Sequence, residues 1–202
     1  EDDEDAPVKF HLDKDKKQVT LTIRKDLKWS NNQDVVADDI IATYELMGNS
    51  KYKDNIRYKS EFETIEGMKA YHEGKAEKIS GLTKKDDKTV VIQYKDVKPA
   101  LLWGSGFITT FLNKDQVAAA SKDFSKFVEA ELNTKPLSYG PYYLDKVVNG
   151  ESVLAKQNPY YYKKDDVKVK EIQYKVVAPA QASSIIKNGE IDYMSQVTPN
   201  VW

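Results

Sequence analysis

Cysteine is absent from the 202 residues, which excludes disulfides and thiolate metal sites. Histidine is almost absent: His11 and His72 are the only two. A multi-histidine metal centre or a histidine acid–base machine would have to be built from this pair. No apolar run reaches the length of a membrane-spanning helix. No secretory hydrophobic segment is visible, so any leader is expected outside this sequence. An excess of one charge is also lacking. The formal net charge of −1 argues against a nucleic-acid partner, which usually meets a basic face. The Walker A, G-x-S-x-G, H-E-x-x-H and C-x-x-C patterns do not occur, so no enzyme class is indicated and no cofactor is expected. Gly104-Ser105-Gly106 reads as a tight turn.

What is present is aromatic mass. Thirteen Tyr, six Phe and three Trp supply large side chains for burial and argue against disorder. A chain of this length can bury roughly 70% of its unfolded surface in one or two domains. Glu1 to Asp5 are all acidic; they read as a solvated tail, because the run lacks the glycine and ligand spacing of an EF-hand.

Val19-Thr20-Leu21-Thr22-Ile23-Arg24 alternates as a half-buried strand. Ile40, Ile41, Tyr44 and Met47 share one helical face, with Asp38 and Asp39 suited to the helix N-terminus and Gly48 to its stop. A second helix is expected from about Ser60 to His72, with Phe62, Ile65, Met68 and Tyr71 inward. An antiparallel pair should follow, Lys78 to Leu82 and Thr89 to Tyr94. Phe124, Phe127 and Val128 mark a short helix. Pro136 to Pro141 reads as a boundary. Beyond it, Tyr142–Val147 and Ser152–Lys156 form a hairpin across Asn149-Gly150. Glu171–Val177 reads as a strand. Pro179 then opens a helix with Ala182, Ile185 and Ile186 on its apolar stripe and Gly189 at its end. Ile191-Asp192-Tyr193-Met194 starts a last strand. The fold class is α/β, mixed α+β. Tyr139, Tyr142, Tyr143 and Tyr160 to Tyr162 crowd one region, as core packing or as an amphipathic ligand lining.

Four blocks then carry a resemblance. They are Leu21 to Ser30 with Val36-Ala37-Asp38-Asp39-Ile40; Ile65-Glu66-Gly67 with Ile79-Ser80-Gly81 to Thr89-Val90; Pro136 to Tyr142 with Asn158-Pro159-Tyr160-Tyr161; and Asn188-Gly189-Glu190-Ile191-Asp192. In this order they resemble the extracytoplasmic oligopeptide-binding proteins of solute-binding protein family 5, the binding subunits of peptide ABC importers. Asn31-Asn32 stand where the family usually has Asp-Gly; asparagine is the best substitute for a left-handed turn residue. Val36 stands where Thr or Asn would cap the helix, which weakens that cap.

The resemblance implies a periplasmic-binding-protein-like lobe of a two-lobed (type II, cluster C) protein, the second lobe being absent. Residues 1–135 would form the outer subdomain of the first lobe. Residues 136–202 would form part of its inner subdomain, which in the family also uses further strands, and lead to the hinge. The ligand would be an extended oligopeptide held by its main chain. The expected contacts are Ser195, Gln196 and Val197, with an ordinary buried strand end as the competing reading. Arg57 and Tyr58 are further contacts, against surface packing. The implied partners are peptides and the permease subunits of an ABC transporter, with no nucleic acid. The implied setting is the outer face of a Gram-positive plasma membrane, through a lipid anchor missing here, as a monomer. A surface carbohydrate-binding or adhesin module, stacking sugars on Trp103 and Phe107, is the alternative.

Overall fold

The computed structural model describes residues 5–52, 62–102, 107–108 and 110–194. Within them lie two antiparallel sheets, one in each half of the chain. The first has four strands in the order β1-β2-β4-β3: β1 (Val8–Asp13), β2 (Gln18–Ile23), β3 (Leu82–Asp86) and β4 (Thr89–Gln93). Alternation sets its two faces. Val19 and Leu21 of β2 stand opposite Ile92 and Val90 of β4, and all four are buried. Helix α1 (Ala37–Gly48) covers that face with Ile40 and Tyr44, which are fully enclosed. Trp29, Phe62, Ile65, Met68 and Tyr94 complete the core. Each buried side chain of this size contributes about 1.5–3 kcal/mol or more.

Four expectations are corrected by the structure. The second helix, α2, is only Met68–His72. Gly67 sits at φ +73° immediately before it, a left-handed residue that no continuous helix admits. Ile65 instead bridges to Tyr94. The first strand of the antiparallel pair is Leu82–Asp86 rather than 78–82. The backbone at Gly81 is taken up elsewhere: its N–H donates to Glu66 O (2.9 Å) and its carbonyl accepts from Gln93 N (2.8 Å). Gly48 is the last residue of α1 rather than its left-handed stop; a side chain there would strike Met68 and Tyr71 of α2. Residues 191–194 form no strand, having no ladder partner among the described residues.

Short helices follow the first sheet: α3 (Pro99–Leu102), α4 (Lys114–Ala120), a 3-10 helix (Phe124–Glu129) and α5 (Glu131–Thr134). Asn113 caps α4, its side chain accepting from the Asp115 and Gln116 N–H groups. Leu46 of α1 packs with Val117, Ala120 and Leu132 in a second, smaller core. Val128 stands outside it, 77% exposed.

The second sheet has the order β5-β6-β7: β5 (Tyr142–Val148), β6 (Ser152–Gln157) and β7 (Glu171–Lys175). The β5–β6 hairpin turns at Asn149-Gly150 as expected, with Gly150 at φ +73°. Helix α6 (Ala182–Lys187) follows and ends at Gly189, φ +71°.

Candidate functional site

The residues expected to touch a ligand, Arg57, Tyr58, Ser195, Gln196 and Val197, lie outside the described residues, as do Trp103 and the Gly104-Ser105-Gly106 turn. The structure does show what frames these segments. The 53–61 segment leaves from Tyr52, whose ring packs on Phe127 with centroids 4.9 Å apart, and returns at the buried Phe62. The 195–202 segment leaves from Tyr193 and Met194, just past α6; Tyr193 is 81% exposed.

The motif blocks prove to be joints. In the first, the Asp39 carboxylate is buried and accepts three hydrogen bonds. Trp29 Nε1 (3.1 Å) and Val36 N (2.8 Å) donate to Oδ2, and Lys114 N (2.8 Å) donates to Oδ1. The Val36 side chain offers no cap, as its apolar character requires, but Asp39 satisfies the Val36 N–H in return. One carboxylate thus ties the 29–36 turn, the start of α1 and the start of α4. Burial pushes its pKa above the ordinary aspartate value, against the pull of those donors. Asn32 takes φ +72° in the turn, so asparagine does serve where the family has glycine.

In the second block, Glu66 N donates to Gln93 O (2.9 Å), so the residues flanking Gly67 and Gly81 lace α2 to β4. Gly67 lies so close to Ser80 that a Cβ would collide with both its side chain and its backbone N–H.

In the third block, Asn158 is fully buried. Its Nδ2 donates to Ser138 O (3.2 Å) and Gly140 O (3.0 Å), and its Oδ1 accepts from Tyr160 N (3.0 Å). Tyr139 reaches the other way: its hydroxyl accepts from Phe111 N (3.1 Å), and its ring meets Trp29 edge-on at 5.2 Å. Burial raises its phenol pKa. Arg24 lies 4.1 Å over the Tyr162 ring. Of the tyrosine cluster, Tyr139 and Tyr162 therefore pack against the first core.

A cleft of about 640 Å³ opens at this junction. Ser30 and Gln33 line it from the turn, Gln116 and Ala119 from α4, and Leu137 and Tyr143 from the stretch that leads into β5 and from β5 itself. Its walls are fixed by their own hydrogen bonds. Gln116 Nε2 donates to Lys135 O (3.0 Å) while its Oε1 accepts from Leu137 N (2.9 Å). Ser30 Oγ accepts from Ser138 N (3.3 Å). Among the described residues no group of three His, Asp or Glu is placed to hold a metal ion, and no helix is long and apolar enough to cross a membrane. The roles of Asp39 and Gln116 were not visible in sequence, since their partners lie far along the chain.

Residues 8–202 match the family model described as bacterial extracellular solute-binding proteins, family 5 Middle. The oligopeptide-binding protein OppA of Lactococcus lactis subsp. cremoris (strain SK11) is 36% identical over 190 residues, covering 91% of this chain and 31% of that protein. The dipeptide-binding protein DppE of Bacillus subtilis (strain 168) is 28% identical over 186 residues, covering 91% of this chain and 33% of its own length. Among solved structures, lactococcal OppA complexed with an endogenous peptide in the closed conformation superposes with a TM-score of 0.85 at 33% identity, over 93% of this chain and 35% of that one. Listeria monocytogenes OppA bound to peptide gives 0.75 at 24% identity, over 93% of this chain and 36% of that one, a likeness of fold. The chain spans about a third of the length of these relatives. It belongs to the bacterial extracellular solute-binding proteins of family 5, matching their Middle model from Val8 onward.

Proposed function

We propose that this chain is part of the substrate-binding component of an oligopeptide ABC importer, and that it performs no chemistry. The observation that carries this reading is the superposition on lactococcal OppA solved with a peptide in the closed conformation. Residues 1–135 form the outer subdomain of a first lobe, and residues 136–202 supply part of the inner subdomain. The break at 136–141 separates the two sheets in the same place. An extended peptide lies between this lobe and a second one. Main-chain hydrogen bonds to Ser195, Gln196 and Val197 hold it without reading its sequence, and Arg57 and Tyr58 reach it from the outer subdomain. Wet, roomy pockets accept its side chains. The assembled protein is a lipid-anchored surface protein of a Gram-positive cell that delivers peptide to a membrane permease.

Half a cleft gives half the desolvation while most of the ordering cost stays. The 202-residue chain alone should therefore show no saturable heat when titrated with a peptide mixture, whereas the family-length protein should bind it tightly. In that longer protein, Arg57→Ala and Gln196→Ala should each weaken binding. Tight binding by the 202-residue chain alone refutes the two-lobe reading; no peptide binding by the longer protein refutes the peptide reading.

A further inference from the structure

We propose that Asn149 is a self-modifying site: the Gly150 amide nitrogen attacks the Asn149 side-chain amide in the folded chain, while the same chemistry at Asn188 is held back by the end of α6. The tripeptide Asn-Gly-Glu occurs twice, at 149–151 and at 188–190. Asparagine is a thermolabile residue. A glycine after it leaves the backbone nitrogen open to the side chain, since no Cβ stands in the way.

The two sites are matched in their surroundings. Asn149, Gly150, Asn188 and Gly189 are all exposed. Gly150 has φ +73° and Gly189 φ +71°, and no atom lies within 4 Å of where a Cβ would stand on either glycine. They differ in what holds the reacting nitrogen. Gly189 N donates to Ile186 O (3.0 Å), and the N–H groups on either side are held too, Asn188 N by Ser184 O (2.9 Å) and Glu190 N by Ile185 O (3.0 Å). Gly150 N meets no acceptor among the described residues, and the Asn149 side chain has no partner there either. One bond closes that turn, from Glu151 N to Val148 O at 3.0 Å, inside the last ladder rung, Val148–Ser152.

A hydrogen-bonded N–H is a weaker acid, and its nitrogen is aimed at its acceptor rather than at the side chain. Attack from Gly189 therefore waits for the helix end to open locally. At Gly150 the peptide plane needs only to swing within an exposed turn. In the reaction, Gly150 N gives up its proton and bonds to Asn149 Cγ. The Cγ–Nδ2 bond breaks, and Nδ2 takes up one proton and leaves as ammonia. The product is a five-membered succinimide. Water, the one co-reactant, then opens the ring at either carbonyl. Opening at the N–Cγ bond gives aspartate. Opening at the backbone carbonyl gives isoaspartate, whose main chain runs through Cγ and is one methylene longer. Either product adds a carboxylate beside Glu151. The extra methylene falls inside the turn that the Glu151–Val148 bond closes, so isoaspartate loosens the tip of the β5–β6 hairpin. The chemistry is independent of peptide binding.

Ageing the 202-residue chain in mildly alkaline buffer at body temperature should build up a more acidic species on ion exchange. Brief acidic digestion and mass spectrometry should place the conversion at Asn149, ahead of Asn188 by about fivefold or more in rate, the factor that one ordinary hydrogen bond supplies. In urea, with α6 unfolded, the two rates should converge. Gly150→Ala should slow conversion at Asn149 and leave Asn188 as it was, with circular dichroism checking that the variant is folded. Asn188 reacting as fast as Asn149 in the folded chain overturns the proposal. So does a preference for Asn149 that persists unchanged in urea, or a folded chain that keeps Asn149 intact while the unfolded chain converts.

Discussion

The Trp29 indole donates to the Asp39 carboxylate at 3.1 Å, with both side chains closed off from solvent. That bond is one of three on the same carboxylate, and the other two donors are backbone N–H groups at Val36 and Lys114. Removing the acceptor leaves all three donors unmet, the indole fully buried and the two N–H groups half-buried. Asp39→Ala should cost about 3–5 kcal/mol, and Asp39→Asn somewhat less, since one oxygen survives while the new amide faces donors. Urea unfolding followed by tryptophan fluorescence measures both. A loss below about 1 kcal/mol for the alanine variant contradicts the three-bond account.

The same residue should give stability a sign with pH. Burial holds its folded pKa above the unfolded value, so the folded chain binds that proton more tightly than the unfolded chain. Its contribution is full below the unfolded pKa and is lost as pH rises through the folded one. The stability of the parent relative to Asp39→Asn should therefore fall as pH rises above the ordinary aspartate range. Asp26 and Glu73, held low by Arg24 and Lys75, slope the opposite way, but they do so in both proteins and cancel in the difference. Denaturant titrations at several pH values give that difference; a rise with pH would contradict the raised pKa.

Gly67→Ala tests the second joint. The residue is left-handed and its missing Cβ is the space taken by Ser80. Strain and collision together should cost about 2–4 kcal/mol. Gly74→Ala makes a matched control, because Gly74 has a similar φ of +70° with open space around it, and about 1 kcal/mol is expected there. Equal losses at the two positions would remove the close approach to Ser80 from the account.

Gln116→Ala should loosen the crossing between α4 and the second sheet. Its amide holds the backbone on both sides of Pro136, so about 1–2 kcal/mol of local stability should go. The amide N–H of Leu137 loses its acceptor, and hydrogen exchange at that position should quicken by roughly tenfold while β2 and β4 keep their protection. Unchanged exchange at Leu137 would show that the crossing is held by other means.

Period and turn chemistry carry most of the architecture on their own. β2, β4 and the hairpin at Asn149-Gly150 follow from alternation and turn-forming residues, although the loop spans three residues, 149–151, between the paired Val148 and Ser152, and α1 follows from the spacing of Ile40, Tyr44 and Met47. Strand β3 escapes the sequence pattern because Leu82–Asp86 lies at an edge and is mostly exposed, so no alternation marks it. The second helix is shorter than its spacing suggests: Phe62 and Ile65 keep helical spacing, but Gly67 turns left-handed with Ser80 packed against it. In the sequence Asp39 is a charge suited to the helix dipole. Its larger role depends on Lys114, 75 residues away, and no local pattern encodes that meeting. The family motifs were legible as a resemblance, but their residues do structural work in the described part of the chain.

The Asn149-Gly150 turn has a practical use. No atom lies within 4 Å of where a side chain on Gly150 would begin, and the chain has no thiol of its own. A single cysteine introduced at Asn149 would be a unique handle for a spin label or dye, carried at the tip of a hairpin beyond the packed core.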